Sequence, residues 1–207
     1  MTTLPALKWR HSVKHFSSKK VSKTQITDLT EAARFSVSSY GLQPYQVWVI
    51  ENPILLEQLA KHAFDQPQLH ECSHLIVFAH QTKIGDELVD QYFQHYYEQT
   101  GAEIGSLDGY SDHIKSAITA KSHQEQQNWA QQQAYIALGS LLTEAATQGI
   151  DTCPMTGFDV EAFNQLLGFD NQDLNTCVIC AVGYRNDSLE LPTKVRIPSQ
   201  DFVQFLA

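Results

Sequence analysis

Long apolar runs are missing from this 207-residue chain. The longest, Leu75–Ala79 and Val178–Val182, have strand length, far below the roughly 20 residues that span a bilayer, so no membrane segment is expected. Basic residues are also scarce: 14 Lys and Arg stand against 23 Asp and Glu, a formal net charge of −9. A general nucleic-acid binder needs a basic footprint to neutralise phosphates, which this balance excludes; a small local cluster of cations it does not exclude. Met1–Pro5 has no basic region followed by an apolar one, so no signal peptide is read and a cytoplasmic location is expected. The four cysteines, Cys72, Cys153, Cys177 and Cys180, then read as reduced, buried small hydrophobes. Repeats, low-complexity segments and linkers are lacking too, and residues 1–207 are read as one α+β domain with more helix than strand.

What is present is regular patterning. Ser22-Lys-Thr-Gln25 is a capping box opening a helix with Ile26, Leu29 and Ala33 on one face. Ser38–Pro44 is rich in turn formers, and Tyr45–Ile50 reads as a strand. Asn52-Pro53 starts a helix through about Ala63. Leu75–Ala79 and Cys177–Val182 read as strands covered on both faces. Ile84–Gln99 has helical spacing; Gly101–Gly109 interrupts it, and Gln99–Ser122 is read as a glycine-hinged lid, with helix resuming after Ser111. Gln126–Gln148 is the longest helix, closed by Gly149. Its face of Ala134, Leu138, Leu141, Leu142 and Ala145 suits either a central buried helix or a subunit interface. Val160–Leu167 is a short helix ending at Gly168. The final stretch, Leu189 to Ala207, lacks periodicity but ends in Phe202-Val-Gln-Phe205-Leu, an apolar tail expected to dock, a partner subunit being one candidate.

Two basic clusters stand out in so acidic a chain. In Arg10-His11-Ser12-Val13-Lys14, an extended backbone would point Arg10, Ser12 and Lys14 to one side. Arg and Ser can hydrogen-bond phosphate oxygens while Lys adds a point charge. Lys194-Val-Arg196, between two prolines, again sets two cations on one side. Solvated surface charge would account for either cluster alone; the pair suggests convergence on one anion.

These residues resemble the FMN-dependent nitroreductase family. Arg10-His-Ser-Val-Lys14-x-Phe16, Ser38-Ser39-Tyr40-Gly41-Leu42-Gln43-Pro44-Tyr45, Gln66-Pro67-Gln68 before a Ser-His-strand, Pro154-Met-Thr-Gly157-Phe158 and Lys194-x-Arg196 occur in the family's order along nearly the whole chain. The resemblance implies a small central sheet among helices and a homodimer with two FMN sites at its interface. The C-terminal tail would cross to the partner's sheet. It implies that Arg10, Lys194 and Arg196 hold the FMN phosphate beside His11 and Ser12. Lys14 would approach the N1/O2 side of the flavin as the one residue tuning its chemistry, and Gln66 and Gln68 would line the ribityl and pyrimidine side. Pro154, Thr156 and Gly157 would pack by N5, and Ser38, Ser39 and Gly41 would come from the other subunit. Val37, Gly41, Gln68 and Thr156 depart from residues common in relatives (Pro, Asn, Lys and Glu).

The implied activity is NAD(P)H-dependent reduction of nitroaromatics, quinones or flavins, with donor and acceptor alternating at one flavin face in ping-pong order. NADH or NADPH would be the co-substrate and a small molecule the electron acceptor. A dihydropteridine reductase, a dehalogenase-type enzyme, or a flavin-binding protein without turnover are the alternatives. Since the cofactor carries the chemistry, no acid–base dyad is required. His70-Glu-Cys-Ser-His74 matches the zinc-peptidase pattern, but Pro67 upstream and the strand from Leu75 are expected to split the imidazoles, so no metal is assigned. Cys177-Val-Ile-Cys180 has redox spacing, but cysteines three apart in a strand are expected to face opposite ways. Trp9, Trp48 and Trp129 read as core.

Overall fold

β-Branched and apolar runs become the strands of one antiparallel sheet. Tyr45–Ile50 (β1), His74–Gln81 (β2), Asp151–Met155 (β3) and Leu174–Gly183 (β4) lie in the order β1-β2-β4-β3. The structure, a computed structural model, describes residues 1–186 and 190–206, so the two ends of the tail reading, Leu189 and Ala207, lie outside the described residues. Helices surround the sheet: Thr3–Trp9 (α1), Lys23–Arg34 (α2), Pro53–Lys61 (α3), Pro67–Glu71 (α4), Asp86–Thr100 (α5), Asp108–Thr119 (α6), His123–Thr147 (α7), Val160–Leu167 (α8) and Ser199–Phe202 (α9). This is an α+β fold with a small central sheet among helices.

Period-two alternation divides the central strands between two apolar layers. Leu75, Val77, Ala79, Ile179 and Ala181 pack with Leu59, Leu69 and Phe163 of α3, α4 and α8. Ile76, Phe78, Val178, Cys180 and Val182 pack with Leu29 and Ala33 of α2 and Ala137 and Leu141 of α7. A third layer joins Leu88 and Phe93 of α5, Ile114 and Ile118 of α6, and Ala130 of α7. Helix α7 therefore serves two layers at once, the sheet with one half and the α5–α6 hairpin with the other.

Several sequence expectations change. Helix α1 and strand β3 were not read at all. β3 contains Pro154, which a central strand would reject; β3 is an edge strand, where the missing N–H costs no ladder bond. Helix α7 starts three residues before the expected Gln126, because Ser122 and Glu125 form a capping box. Half of the stretch 99–122 read as a glycine-hinged lid is helix α6: Gly101 ends α5 in a left-handed conformation, and Ile114 and Ile118 are buried. Cys177 and Cys180 do not face opposite ways. The β2–β4 register slips between Phe78 and Ala79, leaving Cys177 in a bulge that turns it into the same layer as Cys180. Both are free thiols; burial pushes Cys177 up to about 12 and Cys180 higher.

One buried polar chain titrates. His80 Nδ1 meets the Gln81 carbonyl at 2.9 Å as donor, so Nε2 accepts from Asn175 Nδ2 at 3.4 Å. Asn175 Oδ1 accepts from Asn164 at 2.7 Å, and Asn164 Oδ1 accepts from Thr176 N–H and Oγ–H, each at 2.9 Å. Burial holds His80 below the ordinary imidazole value. The unfolded chain, titrating near about 6.5, protonates first. The stability that neutral His80 contributes is thus complete above that pH and is lost as pH falls through the lower folded value. Denaturant unfolding should show stability declining below about pH 6.5, with a shallower decline in His80→Gln; equal slopes in the two proteins would remove His80 from this role.

Candidate functional site

Arg10 leaves α1 in an extended conformation, with φ −60° and ψ 142°. The chain then runs beside the sheet: Ser12 bridges Thr152 of β3 in parallel, and Phe16 bridges Arg185 in antiparallel fashion. The Phe16 N–H donates to Glu71 Oε2 at 2.9 Å. A Cβ on Gly183 would stand 2.7 Å from the Phe16 ring, so only glycine lets the segment approach this closely. Val13 and Phe16 anchor it in the core, while Arg10, Ser12 and Lys14 are left on the open side. Arg10 Nη2 donates to Ser12 Oγ at 3.3 Å, and Lys14 Nζ reaches the buried Cys153 Sγ at 3.6 Å. Burial raises the Cys153 thiol, with Lys14 and Arg10 opposing the shift.

The tail returns to this place. Lys194 Nζ donates to the carbonyls of Leu7 and Lys8, each at 2.8 Å, and to that of Arg10. Arg196 is exposed and donates to the Val195 carbonyl through Nη1 at 2.7 Å. Arg185, at the exit of β4, forks onto Asp151 with Nε and Nη2, and its guanidinium lies 4.2 Å above the Trp9 ring. Burial and the positive charges of Arg10, Arg196 and Arg185 pull Lys194 below the ordinary ammonium value. Among the described residues, no carboxylate lies within ion-pair distance of Arg10, Lys14, Lys194 or Arg196. The two termini converge, and their charge is uncompensated.

A neutral rim continues from the cations. Gln66 Nε2 donates to the carbonyls of Ala63 and Gly157, each at 3.0 Å. Gln68, almost wholly buried, donates to Gln66 Oε1 at 3.0 Å and contacts Met155 Sδ at 2.9 Å. The turn before it holds Phe64 and Asp65 at φ 58° and 50°, strained for side-chain-bearing residues. Pro154 is half-buried at the end of β3, with Thr156 and Gly157 exposed beyond it. Three polar side-chain atoms in this region are buried without any partner: Arg10 Nε, His11 Nε2 and Gln68 Oε1. His11 Nδ1 lies 3.0 Å from the Trp9 carbonyl, which makes it the donor and leaves Nε2 facing nothing. Groups so placed each cost free energy comparable to a lost hydrogen bond unless something binds there.

Ser38, Ser39 and Gly41 have other partners. Ser39 N–H donates to Gln133 of α7 at 2.8 Å and Ser38 Oγ accepts from Gln43 N–H at 3.1 Å. A Cβ on Gly41 would stand 2.9 Å from Tyr92 of α5. The zinc-like pattern resolves differently from its expected strand or turn: Pro67 is the first residue of helix α4, which carries His70 and ends at Glu71. His70 pairs with Glu57, while His74, at the start of β2, meets Ser73 Oγ and Glu51. Ser73 Oγ in turn accepts the Val21 N–H and is buried, so this Ser-His-Glu row closes the sheet end. Trp9 is half-buried under Arg185 instead of in the core. Asp151, Arg185 and Cys153 were missed as site residues; the one readable signal was Arg185 just beyond the apolar run of β4, since β3 carries no strand pattern of its own.

A sequence model described as the nitroreductase family matches residues 7–184. A Staphylococcus haemolyticus protein named "Putative NAD(P)H nitroreductase" is 31% identical, the match covering 99% of this chain and 97% of the relative. The fold matches a Bacillus subtilis structure titled as a "putative nitroreductase" with TM-score 0.88 at 20% identity, over 98% of each chain. It matches an Exiguobacterium sibiricum structure, titled as a "putative nitroreductase in complex with FMN", with TM-score 0.86 at 22% identity, over 99% of this chain and 97% of that one.

The Asp151–Arg185 pair ties β3, β4 and α1 together beneath this site. Asp151 is 2% exposed, so removing its charge leaves a guanidinium in a poorly solvated place. Asp151→Asn should destabilise the protein by about 3 kcal/mol, read as a lower denaturant midpoint. An unchanged midpoint would mean that solvent already compensates Arg185.

Proposed function

This chain belongs to the nitroreductase family, and on that premise we propose that it is an FMN-dependent NAD(P)H oxidoreductase acting on small electron acceptors such as nitroaromatics, quinones or flavins. The observation that carries the reading is the set of unpartnered buried atoms, Arg10 Nε, His11 Nε2 and Gln68 Oε1, beside cations without counter-charges. Their chemistry fits FMN from end to end. Two nitrogens and the Arg196 guanidinium suit a phosphate, and an amide oxygen suits a ring or ribityl donor. The E. sibiricum relative's FMN complex supports the same cofactor.

In this reading Arg10, His11, Ser12 and Arg196 hold the phosphate, with Lys194 behind them. Gln66 and Gln68 face the ribityl and pyrimidine side, and Pro154, Thr156 and Gly157 border the ring. FMN supplies the hydride chemistry when bound. Lys14, exposed and in contact with Cys153, would bring a positive charge to the side of the ring that gains electrons, an interaction that would strengthen as the reaction proceeds. A single open face shared by NADH or NADPH and the acceptor implies ping-pong initial-rate kinetics. The location we assign is cytoplasmic; among the described residues no helix is long and apolar enough to cross a membrane.

The proposal extends to a homodimer whose partner contributes Ser38, Ser39 and Gly41. Its support is exposed apolar surface around that loop and on the tail: Phe35 is 74% exposed, Val37 76%, Phe205 92% and Leu206 98%. Apolar groups so bare in one chain suit an interface or tail exchange.

Titration of flavin-free protein with FMN tests the core of the reading. One FMN per chain is expected, and Arg10→Ala should raise the dissociation constant by roughly 10- to 150-fold, the worth of a charge-assisted hydrogen bond. A chain that takes up no FMN ends this reading. Ending the chain before Asp201 removes Phe202 and Phe205 but keeps Lys194 and Arg196, so sedimentation should show a weakened dimer that loses flavin on dilution. A monomer still holding FMN tightly would remove the partner's residues from the site.

A further inference from the structure

We propose that Gln133 of α7 is a positioning residue that holds loop 38–41 in the shape the partner subunit needs for its flavin site. The proposal rests on the FMN and homodimer readings and adds to them the residue that shapes the donated loop. That loop is a strained piece of backbone. Within four residues it places Tyr40, Gly41 and Gln43 at φ 56°, 75° and 44°, the left-handed region that side-chain-bearing residues rarely adopt. Such a path persists only where its surroundings over-determine it.

The two halves of the loop are secured differently. In the second half Leu42 is buried with Leu88 and Phe93, and the Tyr92 ring packs so closely on Gly41 that a Cβ there would stand 2.9 Å away. The first half lacks such an anchor. Ser38 and Ser39 are half-buried, and Ser38 Oγ bonds within the loop itself, to the Gln43 N–H. Among the described residues, one side-chain hydrogen bond reaches these serines from another element: Gln133 Oε1 accepts the Ser39 N–H at 2.8 Å. The amide cannot turn over, because its Nε2 donates to the Trp129 carbonyl at 3.2 Å. Gln133 is 5% exposed, so losing either bond would leave a buried polar group unpaired. Its helix is fixed from both sides, with Ala130 in the α5–α6 layer and Ala134 and Ala137 in the layer on the sheet. A rigid element thus imposes the entry of the loop, and Leu42 and Tyr92 impose its exit.

One arm of the test needs no flavin. In flavin-free protein, amide hydrogen exchange at Ser39–Gly41 should quicken roughly tenfold in Gln133→Met, while exchange at residues 178–182 of β4 stays as it was. Gln133→Glu, whose carboxyl can still accept the Ser39 N–H, should stay within about twofold of the unaltered protein. Unchanged exchange in Gln133→Met, equal quickening in both variants, or quickening throughout the sheet overturns the pin.

The second arm asks which site the loop serves. Gln133→Met should bind FMN with a dissociation constant raised roughly tenfold. A mixed dimer of one Arg10→Ala subunit and one Gln133→Met subunit then separates the alternatives. With the loop acting across the interface, both defects fall on one site, and the other binds FMN as tightly as the unaltered protein. Two weakened sites would mean that Gln133 serves its own subunit, and a chain that forms no dimer would end the role across the interface. Were the unaltered protein to take up no FMN, the cofactor reading would fall with this arm, and the exchange measurements would still decide the pin.

Discussion

Like charge held at short range is the constraint around which this molecule is arranged. The charges of Arg10, Arg185 and Arg196 all bear on Lys194 at the end of the sheet, in a chain whose net charge is strongly negative. Mutual repulsion would disperse them unless each were tied down by something else. Arg185 is neutralised by buried Asp151 and covers Trp9; Lys194 is held by three carbonyls of α1. Among the described residues, Arg10 and Arg196 have no carboxylate partner. Two cations are absorbed by the scaffold so that two can remain unsatisfied, and a local positive field survives that an anion would relieve.

The fold supplies this arrangement through an edge. Strand β3 lies at the margin of the sheet, so one side of it is open for the Arg10–Phe16 segment to run alongside. Gly183 permits the approach of Phe16, and Glu71 receives the Phe16 N–H. The same edge position tolerates Pro154, whose ring lends the strand end a fixed shape just before Thr156 and Gly157. A central strand could have offered neither the free margin nor a place for proline.

How much of this was legible follows the range of the signals. β1 and α8 appear at their expected bounds, and the Ser22 capping box is present, because alternation and capping are local chemistry. Strand β3 escaped notice because Asp-Thr-Cys-Pro-Met has neither a β-branched run nor alternation, and becomes a strand only by pairing with β4. The bulge at Cys177 was illegible for the same reason: register belongs to two strands, and a slip in one reverses which side a residue faces. At the site, the cations of both termini could be picked out as residue types. Their contacts could not, since the three carbonyls that Lys194 meets belong to the end of a helix some 184 residues away.

The same distinction bears on how such a site could be tuned. Along the rim from Gln66 to Gly157 the polar groups are neutral amides and carbonyls, and the strong charges sit together at the other end. Neutral dipoles orient a ring without greatly favouring one of its charge states, whereas a fixed cation does favour the more negative one. Lys14 leans on a thiol that burial keeps protonated. A neutral thiol leaves the lysine's charge undiminished, where a carboxylate in that place would have cancelled it. In the proposed reading, binding strength and electronic bias would fall to different cations of one extended segment, Arg10 for the first and Lys14 for the second, with His11, Ser12 and the buried Val13 between them.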